Sequence, residues 1–248
     1  MKFRMLGIIV VGPCLVLIAL QAAAIAAAGR RLDYSVKPFE QIRPEAGLKI
    51  LFLGDSTAVG LGSARPETSM AGWFAHEFPR ADIENISQSG LRLAGLYQKL
   101  DEIPGNDYDL AVLQIGANDI MRMTPLENID RDLRAILARV GKISRQVVVL
   151  HSGDIGTAPI FLWPFNRFLS RRSYHVREIY RRAAGESGAV YVDLIRFNTD
   201  RVLSSDEKKY YAADHLHLSG DGYRLWYEAI RKAMEEAGLK LEEPGKLL

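Results

Sequence analysis

Four short polar stretches in this 248-residue chain carry side chains able to do chemistry. Ser56 stands in "LGDSTAVGLG", Asn85 to Gly90 read "NISQSG", Asn118 stands in "GAND", and Asp214 and His217 frame "DHLH". A hydroxyl directly after an apolar run has three readings: a helix cap, part of a phosphate loop, or a nucleophile. A cap asks only for Ser, Thr, Asp or Asn. A phosphate loop asks for Gly-Lys-Ser/Thr, which "GDSTAVGLGSARP" lacks, and no dinucleotide fingerprint is present. A serine nucleophile needs a base to take its proton, and an imidazole suits that task because it titrates near neutral pH. The imidazole in turn needs an acceptor on its other nitrogen, which a carboxylate supplies. Asp214 and His217 are three residues apart, within reach of one turn.

These stretches need elements to hold them. "LKILFLG", "DIENIS", "DLAVLQIG", "QVVVLHSG" and "AVYVDL" are short, and three of them are rich in Val, Ile and Leu, as suits strands buried on both faces. Helical spacing lies between them. "ENIDRDLRAILARVGKI" places Ile129, Leu133, Ile136, Leu137 and Val140 on one stripe, and "GYRLWYEAIRKAMEEAG" ends at Gly238, a helix stop. Strand-helix alternation implies a parallel sheet with helices on both faces. Ligands bind such sheets beyond the carboxyl ends of the strands, which is where the four polar stretches fall.

In these motifs the chain resembles the SGNH (GDSL-type) serine hydrolases. "GDS", "NISQSG", "GAND" and "DHLHLSGDGY" match the family's four blocks, in order, over about residues 48 to 237. The resemblance implies a three-layer α/β/α sandwich on a five-stranded parallel sheet, flavodoxin-like in plan. It implies Ser56 as nucleophile, His217 as base and Asp214 as its orienter. It implies an oxyanion hole from the Ser56 and Gly90 amides and the Asn118 side chain. It calls for no cofactor and no metal. The expected function is hydrolysis of carboxylic esters or thioesters through an acyl-Ser56 intermediate. The alternative is an inactive membrane-tethered binding module of flavodoxin-like form. Asp55, Asp119 and His151 read as structural, and His215 competes with His217 as the base but fills a variable slot.

From Met5 to Gly29 no charged side chain occurs, and Lys2, Arg4, Arg30 and Arg31 flank the run. As a helix it would reach about 37 Å, enough for a hydrocarbon core of about 30 Å. Two readings stand: a membrane anchor, favoured by length over the usual apolar core of a signal peptide, or a cleaved signal. Either implies a catalytic domain exported to the periplasmic or extracellular side, with the membrane as partner through the N-terminal helix. Residues 30–47 read as a linker and 48–248 as one hydrolase domain. A net charge of +2 argues against nucleic acid, and the lone cysteine, Cys14, excludes a disulfide framework. Residues 158 to 182 stand apart, with aromatics from Phe161 to Phe168 ahead of five arginines. They read as a buried loop entering a helix with an arginine face, or as a lid against a lipid surface.

Overall fold

The computed structural model describes residues 16–28, 30–33, 35–103, 105 and 107–242. Five parallel strands form one sheet in the order β2-β1-β3-β4-β5, the expected flavodoxin-like plan. They are β1 (Lys49–Gly54), β2 (Asp82–Asn85), β3 (Tyr108–Gln114), β4 (Ser144–Leu150) and β5 (Val190–Tyr191). Ile50 to Leu53 and Leu110 to Leu113 are fully buried, because helices cover both faces of the central strands.

After α1 (residues 16–28) the helices are α2 (Ser56–Val59), α3 (Met70–Glu77), α4 (Leu93–Lys99), α5 (Ala117–Met121) and α6 (Leu126–Ile143). They continue with α7 (Phe165–Ser187), α8 (Thr199–Ser205), α9 (Glu207–Tyr210) and α10 (Gly220–Glu236). On one face α6 packs between α4 and α7; on the other α10 packs against α3, α8 and α9. The five stripe residues read from the sequence of α6 are its buried residues. After α10, Gly238 takes a left-handed φ of 69°. The fifth strand is shorter than "AVYVDL" promised. Beyond Tyr191 the chain turns so that Asp193 meets Arg177 of α7, Oδ2 to Nη2 at 2.6 Å.

The described part of the N-terminal run does not form a span. Among the described residues no helix is long and apolar enough to cross a membrane. The described helix, residues 16–28, would be about 20 Å long, and it leans on the domain rather than standing clear. Ala28 is buried in the core, and Gln21 Nε2 donates to the Ile160 carbonyl at 3.1 Å. The remainder of the uncharged run, residues 5–15 and Gly29, lies outside the described residues. Part of the 30–47 linker is built into the sheet. Gln41 pairs antiparallel with Ile83 and covers the β2 edge, while its amide donates to the Phe78 and Ala81 carbonyls.

Candidate active site

The first strand ends at Gly54, paired with Gln114 of β3. A Cβ on Gly54 would lie 1.9 Å from the Gln114 carbonyl oxygen, so no larger residue fits before Asp55. Asp55 then caps α2. Its carboxylate accepts from the Thr57 amide (3.0 Å) and hydroxyl (2.8 Å). Burial pushes the Asp55 carboxyl up, and the two Thr57 donors oppose that rise. The cap is therefore Asp55, and Ser56 is the first residue of the helix with its hydroxyl free for another partner.

That partner is His217. Ser56 Oγ lies 2.8 Å from His217 Nε2, and His217 Nδ1 lies 2.5 Å from Asp214 Oδ2. The other oxygen of Asp214 accepts the Leu216 and His217 amides at 3.1 and 3.0 Å, so one carboxylate shapes the loop and aims the ring. Burial pushes the Asp214 carboxyl up, but the hydrogen bond and charge of His217 outweigh it and hold it below the usual carboxylate range. An ionised Asp214 accepts Nδ1–H, which leaves Nε2 as the acceptor facing Ser56. His215 is exposed, with φ 58°, and its carbonyl accepts the Ile160 amide at 3.1 Å; its ring is not part of this chain of bonds.

Gly90 and Asn118 stand beyond the ends of β2 and β3, on either side of β1. Gly90 has φ 78°, a conformation glycine adopts without strain. Asn118 is buried on α5. Asp119 ties the two loops together, Oδ2 accepting the Leu93 amide at 3.0 Å. Asn85 does the same between β2 and α2, donating to the Ala58 carbonyl at 3.0 Å. Asp119 thus has the structural part read from the sequence, and Asn85 was noted there only within "NISQSG"; their cross-links join positions far apart in sequence. Arg122 was also missed: a Cβ on Gly90 would lie 3.6 Å from its Nη2.

A pocket of about 40 Å³ opens beside Ser56 and His217. Asp154, Asp200, Tyr211 and Met121 line it. Asp200 Oδ2 accepts the Asp154 amide at 3.0 Å. Burial pushes the Asp200 carboxyl up to about 6, and the charges of Asp154 and Asp193 add to that rise against the Asp154 N–H. His151 lies behind the site, fully buried, with Nδ1 3.0 Å from the Tyr191 hydroxyl; burial lowers it to about 4, so it is neutral at physiological pH. Among the described residues no cluster of His, Cys, Asp or Glu is placed to hold a metal ion.

Residues 52–225 match the GDSL-like Lipase/Acylhydrolase family. The chain belongs to that family. Among its relatives is a GDSL-like esterase of Mycobacterium tuberculosis, 25% identical over 195 residues, or 76% of this chain. The chain spans 62% of the length of that curated relative. Solved structures share the fold. LAE5, an alpha/beta hydrolase enzyme from the metagenome of Lake Arreo in Spain, superposes with a TM-score of 0.61 at 19% identity, covering 82% of this chain and all of that one. Axe2, an acetylxylan esterase from Geobacillus stearothermophilus, gives 0.55 at 20% identity, covering 80% of this chain and 98% of that one. The GDSL signature is thus the "GDS" of β1 and α2, with the family match reaching past His217 into α10.

Residues 158–182 divide between the two readings. Phe161 and Leu169 are buried, whereas Trp163 is 66% and Phe168 59% exposed. The arginines of α7 do not form a bare cationic face: Arg177 pairs with Asp193, Arg181 with Glu178 and Arg182 with Asp130. Arg172 donates to the Thr124 carbonyl.

Proposed function

We propose that the protein is a serine ester hydrolase acting on carboxylic esters or thioesters. Ser56 passes its proton to His217 Nε2 as Oγ attacks the substrate carbonyl carbon. The oxyanion takes hydrogen bonds from the Ser56 and Gly90 amides and the Asn118 side chain. The intermediate collapses, and the leaving alcohol or thiol takes the proton from His217. Water then attacks acyl-Ser56 with His217 again as base, releasing the acid. Asp214 holds the ring and stabilises its positive charge throughout.

One observation carries this reading: the unbroken run of hydrogen bonds from Ser56 Oγ through His217 to Asp214, in a buried loop at the sheet edge. Family membership supports it. Export of the catalytic domain belongs to this proposal only with the uncharged run, part of which lies outside the described residues, acting as an anchor or a cleaved signal.

Ser56→Ala tests the assignment. Ester turnover should fall by about 10⁴-fold or more, as for loss of other serine nucleophiles, with the thermal transition kept. A fluorophosphonate probe should label the parent and not the variant. No turnover of any ester and no labelling of the parent would favour a binding module instead.

A further inference from the structure

An apolar groove of about 730 Å³ runs beside the pocket, within the range of sites that hold small-molecule ligands. Its walls come from three places in the sequence. Helix α1 contributes Ile18 and Ile25, α7 contributes Phe168 and Leu169, and the turn after α5 contributes Met123. One polar side chain lines it, Gln21, and that amide is engaged at both ends. Nε2 donates to the Ile160 carbonyl (3.1 Å) and Oε1 accepts the Leu162 amide (2.8 Å). The groove therefore offers hydrocarbon contact and no free hydrogen-bonding side chain.

Two observations link it to the chemistry. Met121 lines both this groove and the pocket that holds Ser56 and His217, and it lies three residues after Asn118, on the same short helix. Residues next to the groove wall also touch the catalytic loop: the amide of Ile160, which precedes Phe161 of the wall, donates to the His215 carbonyl at 3.1 Å, and Arg31 Nη1, beyond the end of α1, donates to the Ala213 carbonyl at 3.1 Å. The N-terminal segment thus braces the loop that carries His217 while supplying one side of the groove.

The geometry points to a fatty acyl ester as the substrate class, with its hydrocarbon chain in this groove and α1 as a wall of the substrate site. The inference rests on the hydrolase reading above. A chain entering past Met121 would leave its carbonyl end next to Ser56. An exposed apolar face of this extent, continuous with a reaction site, needs an occupant of like chemistry.

The test uses the full chain and p-nitrophenyl esters from acetate to decanoate, below their micelle concentrations. In the parent, kcat/KM should rise about two- to fourfold per added methylene until the groove is filled. Two exposed positions probe the walls. Phe168→Ser removes apolar surface, and Ala22→Trp narrows the groove without adding polarity. Each should lower the ratio of octanoate to acetate kcat/KM by about tenfold, with the parent's thermal transition as the folding control. A parent that hydrolyses all lengths equally, with a ratio unmoved in both variants, would overturn the groove assignment and leave the hydrolase standing. Absence of turnover on every ester would overturn both. Parent binding to phosphatidylcholine vesicles that is lost in the variants, with no change in chain-length profile, would assign the face to a lipid surface and also overturn the proposal.

Discussion

Two hollows meet at Met121, and they are built in opposite ways. The pocket beside Ser56 has about 40 Å³, room for roughly three water molecules. Its loops are fixed by directional bonds: Gly156 N–H to Asp154 Oδ1 at 3.0 Å, Asp154 N–H to Asp200 Oδ2 at 3.0 Å, and Ile155 N–H to Ser173 Oγ at 3.2 Å. The groove has about 730 Å³, and its α1 wall is fixed to the loop beside it by the two bonds of Gln21 and otherwise by apolar contact. Chemistry needs reacting atoms held to fractions of an ångström, which bonded loops provide. Hydrocarbon recognition is not directional and tolerates a looser wall. The division of labour follows from those two requirements.

The largest effects lie at the border, where His217 faces both the serine and the bonded pocket. Asp214→Asn keeps the size of the side chain but loses the carboxylate that takes Nδ1–H. It should lower kcat by about 10⁴-fold with the fold retained. His215→Ala, two residues away, removes a ring outside the chain of bonds and should change kcat by less than about threefold. Stopped-flow or steady-state assays of both variants decide the matter; a reversed ranking would move the base to His215. Next comes Asn118. Its proposed donor strengthens in the transition state, so Asn118→Ala should lower kcat by about 10²–10³-fold while KM stays close to the parent's. A raised KM at constant kcat would make Asn118 a ground-state binding residue instead.

Much of the bonded half was legible in the sequence. Strand-end motifs are local, so "GDS", "GAND" and "DHLH" announce themselves, and the sheet plan follows from the alternation of apolar runs with helical stripes. The α6 stripe was read residue for residue because amphipathic spacing is also local. The groove half was not legible. An uncharged run fits a membrane span and a docked apolar helix equally well by hydropathy. Residues 16–28 dock through Gln21 meeting Ile160 and Leu162, contacts across about 140 positions that no periodicity records. The aromatics at 161–168 gave both a buried and an exposed reading, and the structure divides them residue by residue. Asp154 and Asp200 escaped notice for the same reason. Each looks like an ordinary loop acidic residue until the fold sets the Asp154 amide against the Asp200 carboxylate.

That acidic pair gives the smallest expected effect and the sharpest test of the bonded half. Asp200 holds its proton to about pH 6 in the folded protein, against an ordinary value of 3.8, chiefly because it is buried. A raised carboxyl makes a contribution that is whole below the unfolded value and lost as pH rises through the folded one. Between pH 4 and 6 the unfolded chain gives up this proton while the folded chain keeps it, so stability declines across that window. Full loss would be about 3 kcal/mol for a shift of this size, and partial solvent access reduces it to roughly 1–2 kcal/mol. Asn at position 200 keeps an oxygen for the Asp154 amide and carries no charge at any pH. Asp200→Asn should therefore melt with the parent near pH 4 and above it by about 2–8 °C at pH 8, with the gap opening between pH 4 and 6. Thermal unfolding at five pH values reads this directly. Parallel curves for the two proteins across the whole range would mean that the pocket is wetter and less constrained than its hydrogen bonds imply, and the contrast with the groove would narrow accordingly.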